Sequence, residues 1–122
     1  MGILTKYTMN LLYASIVLFA VAAVFGLTIL AKWLGKKDVS QVTVYSHGIF
    51  AALALVLLIV FALQNSANYP QVSLILFVVA ALGGFYMFFR DLQKKMSPYS
   101  VAFLHALLAV AAFVGLLLFA FA

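Results

Sequence analysis

The chain has 122 residues, 69% of them hydrophobic and only 7% charged, with a formal net charge of +5 and no cysteine. So apolar a composition excludes a water-soluble domain. The missing thiols exclude disulfides and thiolate metal sites, and runs such as ALALVLLIVFAL lack the alternation that membrane-barrel strands require.

Four apolar runs follow in order, at 11–31, 42–63, 72–89 and 101–122. Each is close to the roughly 20 residues that cross a hydrocarbon core of about 30 Å. The first, preceded by Lys6, has the look of a secretory signal; it is too long for a signal core and it aligns with the third run, so it reads as a span. The second begins behind Asp38 or Ser40, either of which suits a helix N-cap. An uncharged loop, QNSANYPQ, leads to the third. Ser97 and Pro98 open the fourth, the serine as a cap and the proline in the first turn. Trp33, Tyr45 and Tyr99 fall where an aromatic belt meets the interface.

Sliding the sequence by 58 positions pairs residues 15–63 with 73–121 without a gap, and 17 of those 49 pairs are identical. A match of that density in a chain built mainly from a few apolar residue types reads as an internal duplication. The expected fold is an all-α membrane protein, a four-helix bundle of four transmembrane helices formed by two parallel tandem two-helix hairpin repeats. It is read as one transmembrane domain, 1–122, with repeat 1 at about 10–63 and repeat 2 at about 68–122. Two crossings per copy return the second copy to the starting side, which argues against inverted-repeat transporters.

Lys32, Lys36, Lys37, Arg90, Lys94 and Lys95 lie in or beside the loops joining helices 1 to 2 and 3 to 4, and Lys6 alone lies at the other face. The positive-inside rule makes both basic loops cytoplasmic and puts the termini outside. Cations split between two short interfacial loops suit lipid headgroups and not nucleic acid.

His47 and His105 are the only histidines, and they are repeat partners. Each lies about five residues inside its span, so the two imidazoles stand at equal depth. Small residues follow on the same helical face: Gly48, Ala51 and Ala54 after His47; Ala106, Ala109 and Ala112 after His105. Helices 1 and 3 carry a matching stripe, Ala22, Ala23 and Gly26 against Ala80, Ala81 and Gly84. Two imidazoles from different helices in an apolar bundle form the usual axial pair of a low-spin b-type haem. In this reading His47 and His105 bind the haem iron through Nε2. Gly48, Ala51, Ala106 and Ala109 line the macrocycle, and Thr28 and Tyr86, or backbone carbonyls one turn earlier, accept from Nδ1. The cytoplasmic lysines would meet the propionates, and electron relay is the function.

Competing readings are a structural interhelical hydrogen bond, close packing through the small stripes and a proton-linked role. Two histidines are too few for catalytic zinc. No carboxylate pair, activated nucleophile or phosphate loop is present, so a hydrolase or transferase site is not expected. Asn10 and Asn68 read as caps at the outer boundary, and Asp38 and Asp91 as partners in loop salt bridges. The alternative function is a non-catalytic small membrane subunit or scaffold, in a membrane protein complex or homo-oligomer. The segment HALLAVAAFVGLLLF resembles small four-span bacterial membrane proteins with no assigned activity, a resemblance that implies a bacterial inner-membrane origin and no chemistry.

Overall fold

The computed structural model describes residues 6–122, so the first five positions of the expected domain lie outside the described residues. Four helices follow one another: α1 (Lys6–Leu34), α2 (Gln41–Gln64), α3 (Gln71–Leu92) and α4 (Tyr99–Phe121). All four are long and apolar enough to cross a membrane, with mean hydropathy between 2.3 and 2.6 over their best windows. Backbone groups have no water to bond to in hydrocarbon, and continuous helices satisfy them within each segment.

The chain divides into two compact units, the first ending at Tyr69 and the second beginning at Pro70. In the first, α1 packs on α2; in the second, α3 packs on α4. Ala22 meets His47 while Ser15 meets Ala54, so moving back along α1 means moving forward along α2, and the pair is antiparallel. Each unit is therefore a helical hairpin.

The buried seam of hairpin 1 runs along Leu12, Ile16, Phe19 and Ala22 of α1, at the three- and four-residue spacing of one helical face. It meets Ala54, Leu58, Phe61 and Ala62 of α2. Hairpin 2 buries Ser73, Phe77 and Ala80 against Ala102, Ala112 and Leu116. Outside these seams large apolar side chains face outward; Leu63 is 76% and Leu107 66% exposed. That surface would be costly in water and suits acyl chains.

α1 and α3 end in the same backbone device. Lys37 N–H donates to Lys32 O (2.8 Å) and Lys36 N–H to Trp33 O (3.1 Å); Lys95 N–H donates to Arg90 O and Lys94 N–H to Asp91 O, both at 2.9 Å. These paired bonds make a Schellman motif, whose penultimate donor takes a left-handed conformation. Here that residue is a lysine each time, with φ 56° at Lys36 and 57° at Lys94. A side chain there costs about 1–2 kcal/mol that glycine would avoid. Gly35 stands one position too early to take the strained place.

Several local expectations change. Ser40, and not Asp38, caps α2: its Oγ accepts from Thr43 N–H at 3.1 Å and lies 2.8 Å from Thr43 Oγ1. α4 starts behind Pro98 with no side-chain cap, so Ser97 does not cap it; an extended Pro98 places its own carbonyl to accept from Val101 and Ala102 instead. Asn10 lies inside α1, which begins at Lys6, and so is no cap. The Asp38 and Asp91 carboxylates make no ion pair within 4 Å among the described residues; the Schellman turns draw the neighbouring lysine main chains inward and leave their side chains outward.

Candidate functional site

Both histidines occur six residues past the first residue of their helix, 41 to 47 in α2 and 99 to 105 in α4, or about 9 Å along the axis. Each is part-buried and crosses to the preceding helix of its own hairpin. His47 Nδ1 lies 2.8 Å from Ala22 O, and His105 Nδ1 lies 2.6 Å from Ala80 O. A carbonyl can only accept, so Nδ1 carries the proton in both rings. Within the regular helix the same carbonyl also takes the N–H of the residue four later, Gly26 or Gly84, so it serves two donors.

Those glycines make room for the rings. A Cβ on Gly26 would come to 2.9 Å from His47 Cε1 and 3.1 Å from Nδ1; on Gly84 it would come to 3.2 Å from His105 Cε1. Alanine at either place would push on an imidazole whose Nδ1 is already tethered. Each seat is thus a three-part unit of histidine, carbonyl and glycine. The residues differ by 58 throughout: Ala22 and Ala80, Gly26 and Gly84, His47 and His105.

The residues beyond the rings are distributed less simply. Thr28 Oγ1 donates to Val24 O of its own helix at 2.9 Å, and Tyr86 is exposed with the Arg90 guanidinium 5.9 Å from its ring centroid. The partner at each Nδ1 is therefore the main-chain carbonyl one turn before the glycine, and neither Thr28 nor Tyr86. The imidazole enters at the level of Ala22, about 9 Å down the helix from Thr28, where a helical threonine satisfies itself on the preceding turn. Gly48 is exposed, and a Cβ there would meet nothing within 4 Å. Ala51, Ala106 and Ala109 are half-buried, while Ala54 and Ala112, one turn further along the same faces, are fully buried in the seams. Part of the small stripe therefore serves helix contact inside each hairpin.

A further polar bond belongs to hairpin 1, where buried Ser15 Oγ donates to Ala54 O at 2.9 Å. Its sequence partner Ser73 is buried too, with its Oγ against the place where Gly115 would carry a Cβ. Ser15 and Ser73 were legible as identical residues 58 positions apart, though nothing in their residue type distinguishes a buried interhelical donor from a helix-interior serine. Among the described residues no three His, Cys, Asp or Glu side chains gather as a metal site.

No family model, curated protein or solved structure matches this chain. The resemblance to small bacterial four-span proteins thus finds no shared family behind it, and a bacterial origin has no support from relatives. What stands is a small all-helical chain with four apolar helices of membrane-spanning length.

Proposed function

We propose that this chain is a membrane-embedded b-type haem protein that relays electrons, with His47 and His105 giving their Nε2 atoms to one iron. The observation carrying this reading is the identical seat: each Nδ1–H is donated to a carbonyl, Ala22 O or Ala80 O. A ligating imidazole needs that second hydrogen bond, because it fixes the ring's orientation and its tautomer and leaves coordination to Nε2. The bound group would supply a one-electron ferric–ferrous couple. The chain's residues would hold the rings, exclude water with the apolar helices and set the ligand basicity through the two carbonyls.

In this reading the hairpins are parallel tandem repeats, so both imidazoles stand at one depth. The six basic residues mark the cytoplasmic side, the termini lie outside and the membrane is a bacterial inner membrane. The purified protein should then show a Soret band, with or without added haem, and His47→Ala or His105→Ala should abolish the low-spin spectrum. Absence of the band after haem is supplied would end the haem reading.

A second reading is favoured by the closure of each histidine bond within one hairpin. Interhelical hydrogen bonds in membranes contribute about 0.6 kcal/mol on average and up to about 1.7, so two such bonds and Ser15 to Ala54 would suit a scaffold that packs against other membrane proteins. Haem-free recovery in a complex of fixed stoichiometry supports it. Recovery as a haem-loaded free protein counts against it.

A further inference from the structure

The structure assigns a second binding feature, independent of haem: we propose that the turns at 32–37 and 90–95 are two phosphate clips for anionic phospholipid headgroups. Lys36 and Lys37 serve the first, Lys94 and Lys95 the second. Three observations converge. Both Schellman turns carry a lysine in the left-handed position, φ 56° and 57°, where glycine would be unstrained, and unfavourable backbone that persists is commonly tied to function. All four side chains are exposed and make no ion pair among the described residues, although Asp38 adjoins the first turn and Asp91 lies in the second. Arg90, by contrast, is committed to its own loop: Nε and Nη2 donate to Met96 O at 3.1 and 2.7 Å.

The partner is read from what adjoins the charge. Each turn follows directly on an exposed leucine, Leu34 at 48% and Leu92 at 53%, at the end of a helix of membrane-spanning length. A cationic pair beside an apolar ledge fits a phosphate attached to acyl chains better than a free anion, for which the leucine offers nothing. Net charge is +2 over residues 32–38 and over residues 90–95, each from three cations and one aspartate. A juxtamembrane lysine strengthens association with an anionic surface by about fivefold, so each clip's pair corresponds to roughly 30-fold.

The test uses the full chain in neutral detergent, titrated with short-chain phosphatidylglycerol, short-chain phosphatidylcholine or inorganic phosphate while thermal unfolding is followed by circular dichroism. Phosphatidylglycerol should raise the melting temperature and lose that effect in high salt, and the other two should not raise it. Asparagine tolerates the left-handed conformation, so K36N/K37Q and K94N/K95Q preserve the turns. Each pair should weaken phosphatidylglycerol binding at its own clip by roughly 30-fold, with a melting temperature in phosphatidylcholine no lower than that of the unsubstituted protein, while Lys6→Gln at the other end leaves binding intact. Equal stabilisation by phosphatidylcholine, equal competition by inorganic phosphate, unaltered binding in both lysine pairs, or a loss in Lys6→Gln as large as theirs, would each overturn the proposal.

Discussion

The two hairpins agree at the residues that seat the histidines and differ in the contacts around them. In hairpin 1 Phe25 stacks on Phe50, with centroids 5.9 Å apart and planes 10° from parallel; the corresponding positions in hairpin 2 are Gly83 and Leu108. Ser15 bonds Ala54 across the first seam, whereas Ser73 occupies space that a side chain at position 115 would need. Ser40 caps α2 with its hydroxyl, and Pro98 stands in the same place before α4. Against that drift, both imidazoles keep the same carbonyl, the same glycine and the same step into the helix, and both lysine turns keep the same φ. The buried seams hold too, with Phe19 and Phe77, Ala54 and Ala112, and Leu58 and Leu116 as identical pairs. The differences fall beside the seats and at the helix starts, and the histidine, its carbonyl and its glycine stay fixed.

The widest expected break is at the glycines. Gly26→Ala brings a Cβ to 2.9 Å from an imidazole tethered at Nδ1, and should cost about 1–3 kcal/mol, the usual range for overpacking. Gly84→Ala, at 3.2 Å, should cost visibly less. Unfolding of the two variants in the same detergent measures the difference; a larger loss at Gly84 would mean that the seats are not held alike.

Gly115→Ala sharpens the comparison at the position where the hairpins have diverged. Its new methyl meets Ser73 Oγ, so the expected cost is about 1–2 kcal/mol. Because the clash is with one named atom, Ser73→Ala should restore most of it in the double variant, giving a coupling that a cycle of unfolding measurements reads directly. Additive losses would place the strain elsewhere.

The smallest effect should be a gain. In detergent free of anionic lipid, Lys36→Gly and Lys94→Gly each relieve a left-handed side chain and should stabilise the protein by about 1 kcal/mol. Equal gains in both are expected from φ values one degree apart; a loss in either would show that the lysine itself supports the turn.

The four helices were legible because hydrocarbon imposes length and polarity limits that composition meets run by run; three expected spans fall inside the observed helices and the fourth overruns α4 by Ala122 alone. The matching places of His47 and His105 were legible from the self-alignment at an offset of 58. Their partners were harder to read. A main-chain carbonyl has no letter of its own, so Ala22 and Ala80 looked like members of a small stripe, and Thr28 and Tyr86 drew attention because they carry hydroxyls. The readable sign was the pair of residues four apart, Ala22 with Gly26 and Ala80 with Gly84, standing 25 and 21 positions before the histidine in each hairpin. The left-handed lysines were hidden for a similar reason: glycine is the ordinary marker of such turns, and Gly35 lies beside the strained residue and not at it.

That each histidine finds its carbonyl only 25 residues upstream has a consequence for biogenesis. Chains grow at about 5–20 residues per second, so several seconds separate the completion of α2 from that of α4, an interval long beside any helix-pairing event within a hairpin. His47 can therefore settle on Ala22 while the rest of the chain is still being made. By the time α4 is complete, the bond from His47 to Ala22 has had seconds in which to form, which would leave Ala80 as the open acceptor for His105. Order of synthesis would thus favour the pairing within each hairpin over an exchange between two near-identical partners.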